Sequence, residues 1–357
     1  MPLLVTVTLL LAFVMLAEHA QEIARVLSGR ILMCLQTLIP SLFGCMALSN
    51  LLMGSGAADW LGGRLAPLCT LLRMPPAALS IFLISQIAGY PVGALLLRRA
   101  AGSGSLTEQD AARLSCVCFG CGPAFAVGLA GVQLFGSPCI GWALLLSCCT
   151  ANLLLALLLK RVGSPTPPDS PCVRLRAAEL TDAVSAAMRS LAQICGMVLL
   201  FGILLCLAEL LGITALLVRL GEAAGVPAQT VRALTAAAAD ITQLAALCRC
   251  GLPAGVLLPL TAALLSFGGI CVHWQCLALG VSGMSPLRLL LLRLAAALAA
   301  AAVMRMLLPL LPLSDAAAVF AHRTAVSETG SVLPALLIVC SGFPLLLPQQ
   351  HPLPHTG

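Results

Sequence analysis

SQIAGYPVGA (residues 85–94) interrupts an apolar run, 77–97, that otherwise has the length of a membrane helix. Ser85 and Gln86 stand just ahead of Gly89, Tyr90 and Pro91, so a polar pair precedes a helix break. Inside hydrocarbon each unpaired backbone N–H or C=O is costly, and non-helical backbone persists only where protein buries it or a wet cavity faces it. A plain bundle of spans has no use for such a break. A chain that builds a solute cavity does.

Composition places the stretch in lipid. Of 357 residues, 60% are hydrophobic and only 9% charged, with a mean hydropathy of +1.06. A soluble domain needs roughly 25% charged residues to clothe its surface. Apolar windows recur near 2–17, 31–53, 77–97, 114–135, 138–159, 191–211, 229–248, 255–280 and 286–312, with a weaker one at 332–347. These runs are continuous and rich in Leu and Ala, which excludes the alternating pattern of a β-barrel. The class is an all-α polytopic membrane protein, multi-pass in a cell membrane. Scattered Arg residues with few aromatics exclude a nucleic-acid partner.

The first window lacks a basic n-region and a clean A-x-A site, so it reads as a retained anchor rather than a cleaved leader. Most of the 17 cysteines lie inside apolar runs, where Cys acts as a small hydrophobe. Cys116, Cys118 and Cys121 form a C-x-C-x-x-C run, but no His or acidic partner follows at ligand spacing and structural zinc wants four ligands. No metal or cofactor is expected.

Five segments follow: an anchor with an interfacial segment (1–30), a first membrane repeat (31–160), a Pro-rich linker with an amphipathic helix (161–190), a second repeat (191–312) and a tail (313–357) that is a last span or a surface segment. "EHAQEIARVLSGR" (18–30) reads as interfacial, and "DWLGGRLAPLCTLLRMP" (59–75) as lying along the membrane surface. In "GSGSLTEQDAARL" (102–114), Thr107 is placed to N-cap a helix with Asp110 at its N3 position.

The repeats carry breaks in the same order. The first has "SQIAGYP" and then "CFGCGPAF" (118–125); the second has "ADITQ" (239–243) and then "SFGGICVHWQ" (266–275). Paired interrupted segments in two halves point to a transporter's binding site. Half-helix ends at such breaks present partial charges to a polar or anionic solute. The expected substrate site is therefore Ser85, Gln86, Gly89, Tyr90, Pro91, Gly120, Gly122, Pro123, Thr242, Gln243, Gly268, Gly269 and Gln275. Gly and Pro also serve close helix packing in membranes, and for an isolated break that alternative is the stronger one.

Asp240 and His273 are expected to couple an ion or gate the site. An intramembrane carboxylate is a functional candidate by default, and His titrates near neutral pH. Against this, Asp240 could cap a half-helix and His273 could make an interhelical hydrogen bond. Asn50 and Glu209 occupy corresponding span ends and read as interfacial or packing residues. No G-x-S-x-G elbow, Walker loop or H-E-x-x-H motif is present, so an enzyme is not expected.

"IPSLFGCMALSNLL" (39–52), "GYPVGA" (89–94), "TEQDAARLSCVCFGCGPAFAVGLAGVQLFG" (107–136) and "SFGGICVHWQ" resemble the YlbJ-type sporulation integral membrane proteins of the nucleoside-recognition (Gate) domain group, over about residues 30 to 310. More distantly, the order of breaks is similar to that of concentrative nucleoside transporters. The resemblance implies a role in spore maturation, in a mother-cell or outer forespore membrane. It also implies transport of a small organic anion, dipicolinate, with Asp240 coupling an ion or gating rather than touching the ligand. The chain departs from that family at Gly120 and Cys121, where Asn is usual, and at Leu95, where a cation is common. Two alternatives stay open: a transporter of nucleoside-like solutes, or a non-transporting scaffold or signalling protein of sporulation. The partners are thus the bilayer, a small anion and a coupling cation or proton. The sequence assigns no oligomeric state.

The positive-inside rule places Arg98, Arg99, Arg113, Lys160 and Arg161 in the cytoplasm. If 77–97 and 229–248 are re-entrant hairpins, Met1 is cytoplasmic too and the halves are inverted, the arrangement alternating access favours. If they span, Met1 is outside.

Overall fold

The computed structural model describes residues 2–159 and 176–311. The linker up to residue 175 and the tail from residue 312, including the window at 332–347, lie outside them. All regular structure among the described residues is helical.

After an N-terminal helix α1 (Pro2–Glu18), the first half opens with α2 (Ala20–Met33) and α3 (Ile39–Gly54). A π-helical turn, Cys34–Leu38, joins them into one 35-residue span. Two short helices follow, α4 (Ala57–Arg64) and α5 (Ala66–Leu72), then α6 (Pro76–Ala88) and α7 (Val92–Gly102). Next come α8 (Glu108–Leu114), a non-helical stretch, a π-helical segment (Ala124–Leu134) and α9 (Pro138–Leu158).

The second half repeats the order: a long α10 (Ala177–Leu210), a short α11 (Ile213–Ala223), then α12 (Ala228–Ala239). A 3₁₀ turn (Ile241–Gln243) leads to α13 (Leu244–Cys248), and α14 (Ala254–Phe267), α15 (Gly269–Leu279) and α16 (Pro286–Leu307) complete it. Two segment borders drawn from the sequence fall inside helices. The supposed interfacial stretch 18–30 runs mostly within the first long span, and residue 190 is mid-way along α10. Arg30, the last charge of the first stretch, is paired inside the protein with Asp240.

Local chemistry explains the starts. Thr107 accepts a hydrogen bond from the Asp110 N–H at 3.1 Å and caps α8 as its sequence indicates. The equivalent helices α9 and α16 both begin Ser-Pro, with Ser137 and Ser285 as N-caps and the proline in the first turn, where its missing N–H costs nothing.

The halves are inverted. Asn50 of α3 donates to the Ala183 carbonyl of α10, and Arg30 of α2 lies against Gly202 of the same helix. The numbers rise along one helix as they fall along the other, so these equivalent helices run antiparallel. The same holds for α9 and α16, where Ser147 meets Met304 and Asn152 meets Arg293.

Between these pairs, 76–102 and 228–248 turn back as hairpins. A Cβ built on Gly93 would lie 2.9 Å from the Ser85 Cβ, though eight helical residues span about 12 Å. Gln229 Nε2 donates to the Arg249 carbonyl at 3.4 Å, though twenty helical residues span about 30 Å. Five helices, Ala20–Gly54, Pro138–Leu158, Ala177–Leu210, Ala254–Leu279 and Pro286–Leu310, are long and apolar enough to cross a membrane among the described residues.

The outer surface is apolar as well as the core. On α16 the inner stripe is Leu289, Arg293, Ala296, Ala297, Ala300 and Met304, against α14 and α9. Leu287, Leu291, Leu294 and Leu298 point outward, as lipid-facing side chains do. Alanines on the inner stripe let the backbones approach closely, which drives packing where no hydrophobic gain is on offer.

Candidate functional site

Four interruptions meet at the centre. The first is the tip of the α6–α7 hairpin, where Gly89 takes φ +81° and the Tyr90–Pro91 peptide is cis. The second is the stretch between α8 and the segment at Ala124. The third is Asp240, between α12 and its 3₁₀ turn, and the fourth is Gly268 (φ +81°), between α14 and α15.

The first two interlock through bare backbone. Any Cβ on Gly93 would strike the Cys118 carbonyl, and any on Gly120 would strike the Ser85 carbonyl. Ser85 and Gln86 are thus pinned by the neighbouring break. The third and fourth meet more loosely: a Cβ on Gly269 would lie 3.0 Å from the Ile241 nitrogen.

Broken helices leave carbonyls without partners, and two side chains collect them. Arg293, fully buried on α16, donates from Nη1 to the Cys116 carbonyl at 3.1 Å and to Asn152 Oδ1 at 2.7 Å. Its Nη2 donates to the Ser266 carbonyl and, at 3.0 Å, to Ser266 Oγ. Asn152, equally buried on α9, donates to the Phe119 carbonyl at 3.0 Å and to Gln86 Oε1 at 2.8 Å. Gln86 Nε2 in turn reaches the Phe82 carbonyl, Ser85 Oγ and the Val117 carbonyl. The guanidinium faces the carbonyl ends of α8 and α14, which carry partial negative charge. That placement lets a lone arginine remain charged inside the bundle.

By contrast, Phe119, Gly120 and Cys121 donate no backbone hydrogen bond to another main-chain group. The Cys116, Val117 and Phe119 carbonyls at this break are taken by side chains. An aromatic row runs beside them. Tyr90 lies 5.3 Å from Phe119, Phe119 lies 5.5 Å from His273, and His273 lies 4.7 Å from Phe267, centroid to centroid. The Arg293 guanidinium stacks 4.4 Å from the Phe119 ring centroid on its other side.

At the breaks lies a partly open cavity of about 30 Å³, lined among others by Tyr90, Cys121, Asp240, Thr242, Cys271 and Gln275. That is room for a water or two. The Tyr90 hydroxyl and Thr242 Oγ1 are buried without a hydrogen-bond partner. His273 donates from Nδ1 to the Gly269 carbonyl, 2.7 Å away, and its Nε2 is also buried and unpartnered.

A second and larger space, about 410 Å³, opens beside the first in the wall made by α2, α10 and the α12–α13 hairpin. Glu22, Arg30, Glu209, Arg232, Gln243 and Arg249 are among its lining residues. Arg30 and Asp240 stand between the two spaces as a buried ion pair, the one facing the larger space, the other the smaller. Asp240 also accepts from the Thr242 N–H at 3.1 Å, capping the 3₁₀ turn.

The expected site residues therefore separate into groups. Tyr90, Thr242 and Gln275 reach the cavity with Asp240. Ser85, Gln86, Gly89, Pro91, Gly120, Gly122 and Pro123 form its supporting wall, and Gly268 and Gly269 the opposite joint. Gln243, expected beside Thr242, lines the larger space instead, because one residue of a 3₁₀ turn rotates the side chain by about 120°. Asp240 is not the lone charge its apolar run suggests. Arg30, Asn152, Ser266 and Arg293 were not singled out in the sequence. Arg293 carried the available signal, a cation on the inner stripe of an apolar helix.

Fold and site together define a multi-pass helical membrane protein of two inverted halves whose four breaks meet at one central cavity. Set against protein-family models, curated proteins and solved structures, the chain matches none. The chemistry of the site carries the functional reading.

Proposed function

We propose that the protein is a secondary transporter of a small organic anion, with dipicolinate as the first candidate and spore maturation as its setting. The observation that carries this reading is the convergence of four helix breaks on a small cavity holding two buried, unpartnered hydroxyls, those of Tyr90 and Thr242. Arg293 and Asn152 occupy carbonyl ends of the breaks, and the Tyr90 and Thr242 hydroxyls at the cavity, buried without partners, are free to donate to an anion. Tyr90 and Phe125, whose ring centroids lie 6.4 Å apart in the cavity lining, offer aromatic surface for a flat ring. At about 30 Å³ the cavity holds no such solute, so a hairpin must move to admit one, as alternating access requires. The resemblance of "GYPVGA" and its neighbours to the YlbJ-type proteins points the same way. The activity proposed is transport, with no chemical change to the solute.

The test is uptake of labelled dipicolinate into proteoliposomes, with Gly89→Leu as the inactive control. Uptake by the intact protein and its loss in the control support the reading. Absence of uptake by correctly folded protein overturns the substrate. Uptake of a nucleoside in its place would favour the nucleoside-like alternative. A scaffold predicts that neither solute moves and that loop substitutions, not Gly89→Leu, impair sporulation.

A further inference from the structure

Resting on that transport reading, we propose that the Arg30–Asp240 ion pair is the latch between an access vestibule and the solute cavity. The 410 Å³ space is the vestibule, and Arg30 is part of its lining. Asp240 is 1% exposed and Arg30 7%, so little of the pair meets solvent although Arg30 borders the vestibule. Its two members belong to parts of different mobility. Arg30 is fixed on the long first span, its stem laid over α10, where a Cβ on Gly202 would sit 3.3 Å from the Arg30 Cγ. Asp240 is the turning point of the α12–α13 hairpin, whose own limbs line the vestibule through Gln229, Arg232, Gln243 and Arg249.

The charge arithmetic explains why such a pair can open. A buried ion pair gains little net stability over its hydration, because the desolvation cost offsets the attraction. When the hairpin tip withdraws toward the vestibule, Asp240 regains water and Arg30 keeps its position at the vestibule wall. Arg30 is then the first cation an incoming carboxylate meets, and that carboxylate can replace the one Asp240 withdrew. A neutral solute cannot make this exchange, so the latch also favours anions. The opposite hairpin has no counterpart, since its tip is held by neutral side chains and by backbone contact at Gly93 and Gly120.

Native cysteines report the latch without any solute. Cys206 lines the vestibule, while Cys121 and Cys271 line the small cavity. Cys148 packs between α9 and α14, its Sγ 3.7 Å from the Ala262 carbonyl, and reports unfolding. The purified full-length protein is treated with a small water-soluble methanethiosulfonate, and modification is read at each cysteine by peptide mass spectrometry. In the native protein Cys206 reacts and Cys121 and Cys271 are protected. Asp240→Asn and Arg30→Gln are each expected to raise modification of Cys121 and Cys271 at least tenfold, with Cys148 unchanged. The double swap Arg30→Asp with Asp240→Arg is expected to restore most of the protection. Continued protection of Cys121 and Cys271 in both single variants overturns the latch, and so does parallel exposure of Cys148 in both, which would make the pair a structural strut. If only one variant exposes Cys148, the other decides. Because no solute is present, failure here leaves the transport reading intact, and failed uptake leaves the latch intact.

Discussion

The two hairpins occupy equivalent places in the two halves and are held in opposite ways. The α6–α7 tip is locked by backbone: Gly93 lies on the Cys118 carbonyl and Gly120 on the Ser85 carbonyl, with Gln86 and Asn152 bonding across. At its base, Arg99 donates to Asn50 Oδ1 at 3.0 Å, and Asn50 is itself buried. The α12–α13 tip is held by one ion pair and the contact at Gly269. Its base is tied by an exposed pair, Arg232 to Glu209 at 2.8 Å, beside an open vestibule. One hairpin is built as wall and the other as door. The difference lies in what holds each tip. Backbone packed on backbone has no intermediate states, whereas a charge pair beside water has an alternative partner.

Substitutions can break this contrast, and the largest effect is expected in the wall. Gly93→Val drives a side chain into the Cys118 carbonyl, and a cost above about 3 kcal/mol should leave little folded protein by size-exclusion chromatography. Survival of a folded Gly93→Val protein would show that the first hairpin can yield, and the contrast would fail. Arg293→Met strands the Cys116 and Ser266 carbonyls and Asn152 Oδ1. Thermal unfolding in detergent should register a loss of about 3–5 kcal/mol. Arg293→Lys should recover less than half of that, since a single ammonium cannot span both helix ends.

Asn152→Leu removes the bonds to Gln86 and the Phe119 carbonyl, and about 2–3 kcal/mol is expected by the same measurement. Tyr90→Phe deletes a buried hydroxyl that has no partner. Stability should hold or rise by about 1 kcal/mol while uptake falls severalfold, which separates a solute-facing group from a packing one. Glu209→Gln, at the exposed base of the door, should change stability by less than about 0.5 kcal/mol, because a water-facing ion pair is worth little.

Much of this plan is legible in the chain itself. Helix breaks announce themselves through Gly89, Pro91, Gly122, Pro123 and Gly268, since those residues end a helix by local sterics wherever they stand. The Thr107 cap and the matched order of the halves are equally local. What joins the breaks is not local. Arg30 and Asp240 lie 210 residues apart, and nothing in the periodicity of either helix names the other as its partner. Arg30 also sits among Glu18, Glu22 and Arg25, so it reads as one more charge at the membrane edge. Arg293 follows Arg288 by five residues and reads as a side chain reaching for the headgroups, although its helical phase puts it on the inner stripe. A run such as 77–97 has the length of a span and of a hairpin alike, and only the contact of Ser85 with Gly93 separates the two. The π-helical stretches at Cys34–Leu38 and Ala124–Leu134 carry no sequence signature at all.

The position of Arg293 in the chain also bears on how the protein is made. Synthesis runs from the N-terminus, and α16 is the last helix among the described residues. When its arginine arrives, Cys116, Asn152 and Ser266 have already been threaded into the bilayer, and every acceptor it needs precedes it. The most buried cation among the described residues is thereby delivered to a finished receptacle, and is spared an interval alone in lipid.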